Sequence, residues 1–292
     1  MSIEEALNGN HIHGYLMRRQ RIVFEGAIYH VTQRAPGREV IFLEEADYLY
    51  FLKTLKEKTK HFNFNIFCFA LLSNHVHLLI QTSQKNLSQS MRSTFQCYAQ
   101  YFNKKYLRKG HVFCGRFRAA LCYEASYVIA ASVYIHLNPL RAGLGRYLGD
   151  YRWSSVNLYT TRPRSSFVAS EKFLSFLEED PQKARQTYSH LLQNILSKSN
   201  TKEEALLDTR MIWRAVRKYT DIVKELLRGQ EEDGLDELIQ RLKTSRANTP
   251  TDYKARQYVV EQLLAQGYNF KEIQYRLGIS RVTLYRTMKK VS

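Results

Sequence analysis

The chain lacks any apolar run near the roughly 20 residues that a membrane-spanning helix needs. Its first twenty residues (MSIEEALNGNHIHGYLMRRQ) also lack the apolar stretch of a secretory signal, so export is not expected. Cysteine is scarce. Cys68, Cys97, Cys114 and Cys122 form no C-x-x-C pair, which argues against a zinc ribbon, a thioredoxin-like motif and a disulfide scaffold. A reducing, cytoplasmic compartment is therefore expected. There is no internal repeat and no low-complexity tract. Hydrophobic residues make up 44% and charged residues 24% of the chain. This ordinary globular mixture excludes wholesale disorder, and 292 residues suffice for two domains.

Acidic residues are the remaining shortage, 27 against 44 basic ones, for a net charge of +17. Placement says more than the total. Residues 51–150 carry 14 basic and 3 acidic side chains, residues 201–250 carry 10 of each, and residues 251–292 carry 8 basic and 3 acidic. Two basic segments thus flank a neutral one. Such fields attract polyanions, and nucleic acid is the expected partner. A membrane surface is the weaker alternative, because no long basic amphipathic helix stands alone.

Periodicity orders the first half. Residues 27–33 read as a strand and 44–60 as a helix with Tyr48, Leu52 and Leu55 on one face. Residues 64–72 and 75–82 read as two strands joined by a tight Ser73-Asn74 turn. A long helix follows over 86–107, then a strand over 116–122. A helix over 124–137 is expected to stop at Pro139. The order β-α-β-β-α-β-α is the ferredoxin-like split pattern with a trailing helix, an α+β antiparallel sheet carrying two helices on one face. Residues 163–170 read as a linker and 171–244 as entirely helical. Residues 245–252 read as a second linker. In 253–292, a helix, a turn at Gly278 and a helix beginning near Ser280 suggest a helix-turn-helix.

Two features could carry chemistry. In His75-Val76-His77, residues i and i+2 of a strand project two imidazoles to one face, at a spacing that suits one divalent metal. The alternative is a pair of hydrogen-bonded surface histidines. His11-Ile12-His13 has the same spacing but no predicted partner. Tyr134 and Asn138 lie four apart on one helix, so a phenol and an amide oxygen face one point. A tyrosine oxygen can attack a phosphodiester and keep the bond energy in a phosphotyrosine link. A metal would polarise the phosphate, and two imidazoles with an amide oxygen suit Mg²⁺ or Mn²⁺, with Zn²⁺ chemically possible. The alternative for Tyr134 is a core tyrosine, one of 20 in the chain, and Tyr127 is the alternative nucleophile.

LLSNHVHLLIQT resembles the HUH motif (His, bulky hydrophobic, His) of single-strand nucleases. With RIVFEGAIYHVTQRAPGREVIF, GHVFCGRFRAALC and YIHLNPLRAGL in that order, residues 17–155 resemble the REP-associated tyrosine transposases. These belong with the small insertion-sequence transposases that carry one catalytic tyrosine. The resemblance implies an HUH nuclease domain over about 17–160, with His75 and His77 as metal ligands and Asn138 as a third, polar ligand. It implies Tyr134 as nucleophile, and cleavage and rejoining of single-stranded DNA beside hairpins of palindromic repeats through a 5′-phosphotyrosine. The implied setting is the bacterial cytoplasm, at the nucleoid, and the implied state a monomer or homodimer. The segments beyond, 171–244 and 253–292, depart from minimal relatives and are expected to bind duplex DNA or a hairpin stem, or to mask the site.

Candidate DNA contacts are Arg34 and Arg38 after the first strand and Arg116 and Arg118 alternating along the last. Lys104 and Lys105 at the end of the long helix, and Arg281, Thr283 and Arg286 on a recognition helix, complete the set. Helix ends also favour cations through the dipole alone. Tyr29 and Phe117 are candidates for base stacking, though each also suits a core, and Tyr98 and Tyr101 suit packing or stacking. Rival readings are a hairpin-binding protein that does not cut, a replication-initiator-type nicking enzyme and an RNA-directed repressor.

Overall fold

In a computed structural model the described residues are Val23, 25–37, 39–122, 124–161, 166–198, 216, 219–224, 239–240, 242–243, 255–256, 259–260, 263, 268 and 270–289. The His11/His13 pair, Arg38 and the predicted 245–252 linker lie outside them.

Four strands, β1 (Ile28–Arg34), β2 (Phe64–Leu72), β3 (His75–Thr82) and β4 (Arg118–Cys122), form one antiparallel sheet in the order β2-β3-β1-β4. This is the expected split topology. Helices α1 (Glu45–Phe62) and α2 (Leu87–Lys105) cover one face. Alternation along the strands sends Tyr29, Val31, Val76, Leu78 and Ile80 to that side, where they meet Phe51, Leu55, Met91, Phe95 and Tyr98. Asn63 closes α1 in the left-handed conformation, φ 49°, a cap position that asparagine tolerates.

The opposite face carries His30, Thr32 and Arg34 beside His75 and His77, and it is covered by α3 (Ala125–Arg141). Every α3 residue from Ser126 to Pro139 is buried. A helix apolar nearly all round must be covered on both sides. The sheet covers one side, and α4 (Asn157–Thr160), α5 (Ser170–Leu174), α6 (Pro181–Lys198) and the helical residues 219–224 supply the rest.

Three expectations need correction. Helix α3 does not stop at Pro139 but runs to Arg141. The missing proline N–H removes one bond, to the Ile135 carbonyl, and the helix continues past it, with the Ala142 N–H donating to the Asn138 carbonyl at 2.9 Å. Strand β4 begins at Arg118, and Arg116 lies in the bend before it, so the two arginines are not partners on one strand. The described part of the predicted 163–170 linker is docked. Val168 bridges Ile66 and the Ala169 N–H donates to the Ile66 carbonyl at 2.7 Å. Ser154 bridges Ala70 further along, so the exposed edge of β2 is capped by irregular chain.

In the C-terminal segment, α7 (Phe270–Leu277) and α8 (Arg281–Lys289) are separated by Gly278 at φ +62°, a conformation that favours glycine. The Ser280 hydroxyl accepts from the Thr283 N–H at 3.2 Å as an N-cap. Ile273, Leu277 and Leu284 pack with Ile239, Leu242, Val259, Val260 and Leu263 in a small core of their own.

Candidate active site

β1 and β3 are neighbours, so register decides which side chains meet. Thr32 faces His77 and Arg34 faces His75, while His30 lies diagonally from His77 on the same face. The rings of His75 and His77 are 5.0 Å apart between centroids, and those of His30 and His77 5.3 Å. Tyr134 comes down from α3 onto this row. Its ring centroid lies 5.7 Å from that of His77 and 5.8 Å from that of His30. One turn on, Asn138 comes near His75, and its buried Oδ1 has no hydrogen-bond partner among the described residues. The two sequence features, 59 residues apart at His75 and Tyr134, therefore converge at one place between sheet and helix.

The site is dry. Burial pushes the His75 imidazole down to about 4; the neighbouring Asn138 amide opposes that shift and the nearby Arg34 charge adds to it. Burial also holds His77 well below the ordinary range, helped by His75 and His30, and lowers His30 to about 3. All three are neutral at physiological pH, the state in which an imidazole offers a lone pair.

Hydrogen bonds indicate which nitrogen is which. His75 Nδ1 lies 2.6 Å from Asn74 Oδ1, an acceptor, so Nδ1 carries the proton and Nε2 the lone pair. His77 Nδ1 lies 3.0 Å from His30 Nε2, while His77 Nε2 is buried with no hydrogen-bond partner among the described residues. That orphaned nitrogen is what a metal ligand looks like without its metal. Among the described residues no three His, Cys, Asp or Glu side chains gather as a metal site. The donors on offer are two imidazoles and the Asn138 amide, a set that fits the implied divalent cation.

The site is also covered. Tyr134 is 2% and His77 0% exposed. Part of the cover comes from Tyr219, whose ring centroid lies 6.4 Å from that of Tyr134 and which itself sits under the Arg141 guanidinium at 4.8 Å. Val216 and Val223 join the same core, and Lys224 pairs with Glu124 at the start of α3 at 2.8 Å.

The other sequence candidates divide. Arg118 is exposed on the histidine face, across from Thr32, and Arg34 is half-buried beside His75. Arg116 and Lys104 are exposed. Lys105 is engaged within the protein, where its ammonium pairs with Glu44 and, at 2.6 Å, with buried Asp47. Tyr29, Phe117 and Tyr98 are core residues, and the Tyr101 hydroxyl donates to Asp47 at 3.0 Å. On α8, Arg281 and Arg286 are exposed, and the Thr283 hydroxyl lies 3.0 Å from that of Ser280. The sequence reading missed His30. Its signal was present, because a strand that alternates Tyr29 and Val31 inward must send His30 and Thr32 to the other face.

The site is thus an antiparallel α+β sheet with a His-x-His pair on its central strand β3, set against a tyrosine on α3. Residues 23–138 match the family model described as transposase IS200 like, a span that contains all four strands, His75, His77 and Tyr134 and ends at Asn138. The match covers about two fifths of the chain and makes this part similar to that family. A solved structure of a REP-associated tyrosine transposase bound to a REP hairpin is similar at 16% identity and a TM-score of 0.44, over 52% of this chain and 90% of that one. A likeness of that degree carries no residue roles across. Among curated proteins no match was found. Among the described residues no helix is long and apolar enough to cross a membrane.

Proposed function

We propose that this protein is a transposase that cuts and rejoins single-stranded DNA next to hairpins of palindromic repeats, with Tyr134 as nucleophile. The observation that carries the reading is the meeting of Tyr134, Asn138, His75 and His77 in one buried pocket of neutral imidazoles on the most basic part of the chain.

Tyr134 Oη attacks the scissile phosphorus. The phosphorus bond to the 3′-oxygen breaks, that oxygen takes a proton to leave as a free 3′-OH, and the tyrosine proton passes to solvent. The product is a 5′-phosphotyrosine, and attack on it by another 3′-OH rejoins the strand and frees the tyrosine. Mg²⁺ or Mn²⁺ held by His75, His77 and Asn138 would polarise the phosphate and offset charge in the transition state. Asn74 orients His75 through its 2.6 Å contact to Nδ1, and the low-dielectric surroundings strengthen every polar contact made to the phosphate.

Arg34 and Arg118 flank the pocket and suit phosphates on either side of the cut, with Arg116 and Lys104 further out. Arg281, Thr283 and Arg286 on α8 suit a duplex or hairpin stem. The working place is the bacterial cytoplasm at the nucleoid, as monomer or homodimer.

The test mixes full-length protein with labelled single-stranded hairpin DNA from repeats flanking its own gene, plus Mn²⁺ or Mg²⁺. A covalent protein–DNA adduct is expected, dependent on the metal and lost in Tyr134→Phe and His77→Ala. Tight binding with no adduct across a substrate series that includes the native repeat would overturn the reading and leave a hairpin-binding protein.

A further inference from the structure

His30 lies outside both the His75-Val76-His77 pair and the Tyr134/Asn138 pair, yet it is buried in the site. It sits on the strand next to His77, diagonal to it across the β1–β3 pair, with their rings tilted 35° and joined by a 3.0 Å contact between His30 Nε2 and His77 Nδ1.

A neutral imidazole has one N–H and one lone pair, so this contact admits two arrangements. In the first, His77 Nδ1–H donates to the His30 Nε2 lone pair, and His77 Nε2 presents its own lone pair to the pocket. In the second, His30 donates, and the His77 proton sits on Nε2. That nitrogen is buried and has no partner among the described residues, so its N–H would be left without an acceptor, which costs more than an empty lone pair. The first arrangement is therefore favoured, and it is the one a metal ligand needs. His30 in turn carries its proton on Nδ1. Asn74 does the equivalent for His75, through the 2.6 Å contact from Oδ1 to Nδ1.

We propose that His30 is a positioning residue that fixes His77 as the Nδ1–H tautomer and aims its Nε2 lone pair at a divalent cation. The cation half of this statement rests on the proposed function of the His75, His77 and Asn138 set; the tautomer half does not. Partners of this kind commonly change metal affinity by about 10–100-fold when removed.

The experiment has two readouts on the full-length protein, neither of them activity. Imidazole ¹⁵N spectra of the metal-free protein, assigned with His77→Ala, report which nitrogen of His77 is protonated. Mn²⁺ affinity is measured by electron paramagnetic resonance on the wild type, His30→Ala, His30→Gln and His77→Ala, with thermal unfolding alongside. The expectation is protonation on Nδ1 in the wild type and a mixture in His30→Ala. Mn²⁺ affinity should fall about 10–100-fold in His30→Ala and return to within a few-fold of wild type in His30→Gln, whose side-chain oxygen can accept the same proton. A purely space-filling role would not give that recovery. Wild-type His77 protonated on Nε2 would overturn the proposal even if His30→Ala fails to fold, as would unchanged Mn²⁺ affinity in a folded His30→Ala. Unchanged Mn²⁺ binding in His77→Ala would instead overturn the cation reading, and the spectra of the metal-free protein would still decide the tautomer.

Discussion

Among single residues, the histidines show how far one-dimensional spacing reaches. His75 and His77 were legible because a strand repeats every two residues, and Tyr134 and Asn138 because a helix repeats near every four. The face of His30 was legible in the same way, but its contact with His77 was not, nor were the partners of His136, because they lie far away in sequence. His136 on α3 is a structural counterpart to the site histidines. Its Nδ1 lies 2.7 Å from the Tyr188 hydroxyl and its Nε2 2.8 Å from the Ser155 hydroxyl, so both nitrogens are satisfied. Burial lowers it to about 3. A group neutral when folded and readily protonated when unfolded stabilises the fold above its unfolded value near 6.5. It loses that contribution as pH falls toward the folded value, because the unfolded chain then binds the extra proton. Between pH 6 and 4, stability of the wild type measured by urea unfolding is expected to fall more steeply than that of His136→Gln, by up to about 1.4 kcal/mol per pH unit. Parallel curves would contradict the assignment.

At the scale of elements, patterning located every strand of the sheet, and β2 and β3 to the residue. It failed where tertiary contacts decide. Lys105 reads from sequence as a free cation at a helix end. In the fold, α2 ends against the start of α1, and Asp47 gathers that junction. Its carboxylate accepts from the Leu43 and Glu44 N–H groups at 2.9 and 3.1 Å, from Tyr101 and Tyr106 at 3.0 and 2.7 Å, and from Lys105 at 2.6 Å. Burial alone would raise the Asp47 pKa, but these hydrogen bonds outweigh it and hold the carboxyl below its ordinary value. Removing the charge leaves donors of both helices without their acceptor. Asp47→Asn is expected to cost about 3 kcal/mol in chemical denaturation. A loss under 1 kcal/mol, on the order of one surface pair, would show that the junction is not held by this carboxylate.

At the scale of the whole molecule, composition pointed to a polyanion partner, and the order of elements gave the α+β sheet. What composition could not give was the second layer. The balanced charge of 201–250 says nothing of where that stretch packs, yet Val216, Tyr219 and Val223 lie in the core that contains Tyr134. The cover over the site therefore comes partly from outside the family-matched span. Tyr219→Ala should uncover the tyrosine and raise nitration of Tyr134 by tetranitromethane several-fold, read by peptide mass spectrometry. An unchanged Tyr134 signal would place the cover elsewhere.

The most direct test of the central claim is to locate the covalent link itself. Full-length protein is trapped with single-stranded hairpin DNA and Mn²⁺ and then digested, and the nucleotide-bearing peptide is sequenced by mass spectrometry. The account predicts a 5′-phosphate on Tyr134, in the peptide that carries Asn138. A link on Tyr127 or any other tyrosine would contradict it.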